Sequence, residues 1–195
     1  MKLYLTIIAG CVAVISAIIS LTANMNFLYV LGFTSLAVVL IIIVDALTAT
    51  VARLLPKSRA NHEKKRFIVG AKEKKFYERL KIRAWKEKIP EIGHFTGFRK
   101  NKIADPKSVE YLERFLMEAC YGEVGHFFSL FFGFLVLLLF PIHNAWLAIA
   151  IPVAIVNALL NLPTIFVLRY NCYKLEILRV SNLKKQAREI KKLAA

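Results

Sequence analysis

Several common signatures are missing from this sequence, and each absence narrows its class. The three cysteines, Cys11, Cys120 and Cys172, stand apart with no C-x-x-C pair, which argues against a disulfide framework or a cysteine-type zinc site. No glycine-rich phosphate-binding loop of the nucleotide type is present. No segment repeats at a solenoid or inverted-repeat period. Acidic residues are scarce, 13 against 28 Lys and Arg, leaving a net charge of +15. In a soluble chain that excess would point to nucleic acid, but no recognition motif accompanies it and no nucleic-acid partner is expected.

What the sequence has in abundance is apolar residues, 57% of 195, against roughly 45–50% in soluble domains. They fall in unbroken runs rather than at the period of an amphipathic helix or strand, so lipid is the better host. The first run, Leu3 to Ala23, carries no charge and has the length of one bilayer crossing. A second begins almost at once at Phe27, which distinguishes the pair from a cleaved signal segment. The third extends from Phe115 to Phe140 and the fourth from Ala145 to Leu168, joined only by Pro141, Ile142, His143 and Asn144. The expected fold is an all-α integral membrane protein with four transmembrane helices in two hairpins. A cytoplasmic amphipathic, helical segment is expected between spans two and three.

The resulting organisation is a hairpin over 1–55, a basic segment over 56–114, a second hairpin over 115–168 and a basic tail over 169–195. In the basic segment Tyr77, Leu80, Ala84 and Trp85 interleave with cations at spacings near three and four, the pattern of a helix lying on a membrane surface. A break is expected over Ile89 to Gly93. The tail alternates Leu175, Leu178, Leu183, Ile190 and Leu193 with Lys184, Lys185, Arg188, Lys191 and Lys192, a second surface helix suited to anionic lipid. All 28 cations lie at Lys2, between Arg53 and Arg114, or from Arg169 onward, and the two short loops on the other side hold none. The positive-inside rule then predicts a multi-pass protein of the cell membrane with both termini cytoplasmic.

Polar residues at membrane depth mark the candidate site, because they are unfavourable there unless they pair or bind a ligand. With spans three and four antiparallel, His126 lies eight residues inward from Glu118 and Asn161 eight inward from Arg169, about 12 Å in each case. His126 and Asn161 should therefore share a depth, with Asn157 one turn deeper. Glu123 and His126, at i and i+3, occupy neighbouring positions on one face. A histidine beside a carboxylate, with Asn or Arg to hold an anion, suits general acid–base catalysis of acyl transfer. The plainer alternative is that these groups only bind helices together through hydrogen bonds. The spans hold only one Glu-x-x-His copy, which does not make a di-metal site, and no metal ligands are assigned. Asp45, late in the second span, either takes part in chemistry or reaches the interface near Arg53.

Three stretches resemble the small bacterial membrane acyltransferases of carotenoid-glycoside biosynthesis, the glycosyl-4,4′-diaponeurosporenoate acyltransferase family, over roughly residues 76 to 179. They are Phe76, Tyr77 and Arg79 with Trp85, Lys86, Lys88, Ile89 and Gly93; Glu118 with Glu123 and His126; and Asn161 and Pro163 with Arg169, Tyr170, Asn171 and Leu175. The resemblance implies transfer of a fatty acyl chain to a hydroxyl of a lipid or glycolipid. His126 would be the base, Glu123 would orient it, and Glu118 and Asn161 would support the site. Arg169 and Lys86 would hold donor phosphates or an anionic headgroup, and Asn171, Tyr77, Arg79 and Trp85 would line the substrate region. The expected partners are a membrane lipid or glycolipid acceptor, an acyl thioester donor of coenzyme A or a carrier protein, and anionic lipid at the cytoplasmic surface. No further cofactor is expected. The rival reading is a non-enzymatic membrane adaptor that binds anionic lipid or a partner protein.

Overall fold

The computed structural model of the chain describes residues 2–89, 103–139 and 146–193, with side chains from residue 5 onward and not over 136–139. The break expected over Ile89 to Gly93 and the Pro141–Asn144 turn lie wholly or mostly outside the described residues. Every regular element among the described residues is helical: α1 (Lys2–Ala23), α2 (Phe27–Leu54), α3 (Ala71–Arg79), α4 (Ile82–Trp85), a 3₁₀ turn (Lys86–Lys88), α5 (Val109–Leu139) and α6 (Trp146–Leu193). Three of them, α1, α2 and α6, are long and apolar enough to cross a membrane, which makes this a multi-pass membrane protein. The chain divides into two compact units, residues 1–54 with 125–163, and residues 55–124 with 164–195.

In the first unit, α1 and α2 form a hairpin whose turn is set by local chemistry. Asn24 takes a left-handed conformation (φ 51°), and the Met25 amide reaches back to the Ser20 carbonyl at 3.0 Å, closing α1 in the manner of a Schellman cap. The Asn26 side chain accepts from the Tyr29 amide at 3.1 Å, which starts α2. Ile19, Val30, Ala37 and Ile41 of the hairpin pack with Trp146, Ile149, Ala150 and Val153 of α6. Small residues let helices approach on the other side of α2, where Gly125 of α5 lies against Ala49 and Ala52. Leu5, Leu21, Leu28, Val39, Leu47, Phe131 and Leu159 remain exposed, as expected of surfaces facing lipid.

The second unit is built on the first half of α5 and the second half of α6. Asp105 and Ser108 cap α5, with the Ser108 amide on Asp105 Oδ1 at 3.1 Å and the Tyr111 amide on Ser108 Oγ at 3.1 Å. Leu112, Phe115, Leu116 and Ala119 pack against Tyr170, Cys172 and Leu175, and the basic segment adds Val69, Tyr77 and Ile82. The surface helix expected around Tyr77 to Trp85 takes a different form. Lys81 adopts a left-handed conformation (φ 52°) that splits the segment into α3 and α4, and Tyr77 and Ile82 are buried in protein. The aromatic ring of Tyr77 stacks near Phe166 and Tyr170 of α6, at centroid distances of 5.5 and 6.5 Å, so its periodicity reflects a protein core.

The basic tail also differs from a separate surface helix. It continues α6 without a break to Leu193, because between Pro163 and Leu193 no glycine or proline interrupts good helix formers. Leu175 and Leu178 pack on the unit's core, Asn182 donates to the carbonyls of Pro106 and Lys107 at 2.8 and 3.2 Å, and residues 183–193 are exposed.

Candidate active site

Two polar clusters contain most of the expected site residues, one in each unit. In the first unit, a chain of amides runs between α6 and α5. Asn157 Nδ2 donates to the Ser129 carbonyl at 3.2 Å. Asn161 Nδ2 donates to both the side-chain and backbone oxygens of Asn157, at 2.8 and 3.1 Å. Asn161 Oδ1 then faces His126 Nδ1 at 2.8 Å. An amide nitrogen cannot accept, so the direction of each bond fixes the next. His126 therefore donates from Nδ1 to Asn161, and in the neutral ring the lone pair is on Nε2. This is the form a general base requires.

Asp45 of α2 lies within the electrostatic reach of His126 and beside Ser129, Asn157 and Asn161. Its Oδ1 is buried without a hydrogen-bond partner. The hydroxyls of Thr48 and Ser129 lie 2.6 Å apart. Thr48 Oγ1 also lies 3.0 Å from the Asp45 carbonyl and the Ser129 hydroxyl is also beside Asp45, so either hydroxyl can donate in the pair. Ser129, Asn157 and Asn161 are 3–5% exposed, and satisfied hydrogen bonds are what make that burial tolerable. Gly133 is needed at its position because a Cβ there would come within 2.5 Å of Asn157 Nδ2.

In the second unit Arg169 is the centre. Its Nε and Nη2 bind the two oxygens of Glu73, with Nη2 at 2.9 Å. Its Nη1 binds Glu123 Oε1 at 2.7 Å and the Arg66 carbonyl at 3.0 Å. The Tyr77 hydroxyl donates to Glu73 Oε1 at 2.5 Å. Burial alone would raise the Glu73 carboxyl, but the bonds from Arg169 and Tyr77 overcome it and hold Glu73 below the ordinary value of 4.5. Burial also raises the Tyr77 hydroxyl, with Glu73 adding to the effect. The guanidinium is therefore largely engaged within the protein, between two carboxylates it neutralises.

The remaining expected residues also fall in the second unit. Lys86 and Asn171 line one groove with Lys174 and Leu178, Trp85 donates from Nε1 to the Leu80 carbonyl at 2.8 Å, and Arg79 ends α3 exposed. Glu118 lies half-buried on α5. Sequence reasoning overlooked Glu73, one carboxylate among lysines with no local signal, and the Thr48–Ser129 pair, because hydroxyls are common in spans.

These observations define an all-helical, multi-pass membrane protein with a histidine-centred polar cluster buried within one helical unit. The glycosyl-4,4′-diaponeurosporenoate acyltransferase family profile matches residues 57–181, more than half of the chain, and the chain belongs to that family. Membership points to acyltransferase activity in general. No curated protein and no solved structure matches the chain. His126, Asn161, Glu123, Arg169 and Glu73 lie within the matched stretch, whereas Asp45 and Thr48 precede it.

Proposed function

We propose that the protein is a membrane acyltransferase that moves a fatty acyl chain from a thioester to a hydroxyl of a lipid or glycolipid, with His126 as the general base. The observation that carries this reading is the amide chain from Ser129 through Asn157 and Asn161 to His126, which sets the donor at Nδ1 and so puts the lone pair of the neutral ring on Nε2. Nε2 takes the proton of the acceptor hydroxyl as its oxygen attacks the thioester carbonyl carbon. The tetrahedral intermediate collapses, the carbon–sulfur bond breaks, and the imidazolium returns the proton to the leaving thiolate. Asn161 orients the ring, and Asp45 supplies a negative charge beside the imidazolium as it forms. Glu123, bound to Arg169, supports the second unit rather than the ring, and Glu118 lies five residues earlier on α5.

The same proposal includes four spans, with the apolar half of α5 as the third, in the cell membrane with both termini and residues 56–114 cytoplasmic. The one-sided distribution of cations supports that orientation. Mass spectrometry of lipids from cells with the protein, without it, and with His126→Ala tests the function. A lipid that gains one acyl mass only with the unaltered protein is the expected result. Identical lipids in all three would instead support the adaptor reading.

A further inference from the structure

Arg169 and Lys86 were the two cations expected to hold a phosphate, and the structure separates their fates. Arg169 is bound by Glu73 and Glu123. Lys86 instead lines an open groove of about 550 Å³ in the second unit, formed by the 3₁₀ turn, α5 and α6. Its polar side comprises Lys86, Lys174, Asn171 and Ser181, and its apolar side includes Phe115 and Leu178. No acidic side chain among the described residues lines it. Among the described residues the Lys86 ammonium and the Asn171 amide make no ion pair or side-chain hydrogen bond. The Lys174 ammonium lies over the Tyr170 ring, 4.8 Å from its centroid, and the Tyr170 hydroxyl accepts from Arg83 Nε at 2.7 Å, so the cationic side is fixed by packing.

We propose that this groove binds an amphiphile of one kind: a phosphate group held by Lys86, Lys174 and Asn171, joined to an acyl chain lying along Phe115 and Leu178. Among the described residues, two cations in no ion pair with a carboxylate and an amide without a side-chain partner match phosphate oxygens. A volume of this size accommodates a headgroup and its first methylenes. The inference rests on the acyl-transfer reading for its use, since a coenzyme A thioester held here is the phosphate-bearing acyl donor which that reading requires, whereas a bound phospholipid would not be the thioester donor. Either a coenzyme A thioester or an anionic phospholipid supplies that chemistry.

The test is native mass spectrometry of the full chain in non-ionic detergent, titrated separately with palmitoyl-coenzyme A, phosphatidylglycerol and phosphatidylcholine. Saturable binding of one of the first two identifies the source of the phosphate. The charge-neutral pair Lys86→Gln with Lys174→Gln should weaken that binding by about tenfold or more, the loss expected when charge-assisted contacts go. Lys191→Gln with Lys192→Gln, which removes the same charge from the exposed tail, should weaken it by less than about twofold. Ser181→Trp keeps every charge but fills the groove, and should match the lysine pair. Equal losses from the groove and tail pairs, or unchanged binding in Ser181→Trp, would overturn the proposal. His126→Ala should bind like the unaltered chain, so failure of the groove and failure of the catalytic assignment are read separately.

Discussion

The imidazole of His126 is useful only in one tautomer, and that tautomer is imposed from the Ser129 carbonyl, three residues along α5, through two asparagines. His126→Ala should therefore reduce lipid acylation by about 10² to 10⁴-fold, the usual contribution of a general base, while thermal stability in detergent changes little. A helix-binding role predicts the opposite order, with about 1 kcal/mol lost in stability and activity retained. Asp45→Asn keeps the side-chain shape but removes the charge beside the imidazolium, and should lower turnover by about tenfold, equivalent to 1.4 kcal/mol. Gly133→Ala provides an indirect check of the amide chain. Its methyl would displace Asn157 Nδ2, so activity should fall although the substitution touches neither His126 nor Asn161. Normal acylation by Gly133→Ala would show that the tautomer is set in some other way.

Among the elements, α3 depends most on electrostatics. It has nine residues, too few to be stable alone, and docks through Tyr77 in the core and Glu73 on Arg169. Arg169→Leu leaves Glu73 and Glu123 facing each other without their shared cation, and breaking such a half-buried pair costs about 3 kcal/mol. Trypsin should then cut the Lys72–Lys75 stretch about a hundredfold faster, as each 1.4 kcal/mol is a factor of ten in the open population. The same contact depends on pH. Glu73 is held below its ordinary value of 4.5, so the unfolded segment binds the proton more tightly than the docked one. Docking is thus fully stabilised above pH 4.5 and weakens as pH falls through that value. Hydrogen exchange of α3 amides, corrected for intrinsic rate, should stay flat from neutral pH to about 4.5 and rise below it. A flat profile at lower pH would mean that Tyr77 and its neighbours hold α3 without Glu73.

For the whole molecule, the distribution of charge predicts orientation and surface behaviour. Cysteines introduced at Lys86 and Lys184 should react with an impermeant reagent only once the cytoplasmic side is opened, and one at Asn144 should react from outside. External labelling at Lys86 would reverse the topology. Truncation after Leu183 removes Lys184, Lys185, Arg188, Lys191 and Lys192 but leaves Asn182 on the Pro106 and Lys107 carbonyls. It should preserve the fold while weakening association with anionic vesicles by at least tenfold, since each cation near the surface contributes about 1 kcal/mol. Loss of the folded protein would mean that the last twelve residues are needed to hold it.

The sequence by itself determined the helical class, the membrane location and the meeting of His126 with Asn161. Hydrophobic run length and helical rise are one-dimensional quantities, so counting residues along two paired helices suffices to align them. The partners of Glu123 and Tyr77 were decided only in three dimensions. Glu123 stands three residues from His126, yet its carboxylate binds Arg169, because a guanidinium with several donors outcompetes a neutral imidazole for a carboxylate. Tyr77 has the spacing of a lipid-facing residue, but the left-handed turn at Lys81 and the cation on Arg169 draw α3 onto α6. Glu73 became visible for the same reason: it gains its meaning from a charge 96 residues away that folding brings close, and no local pattern records such a distance.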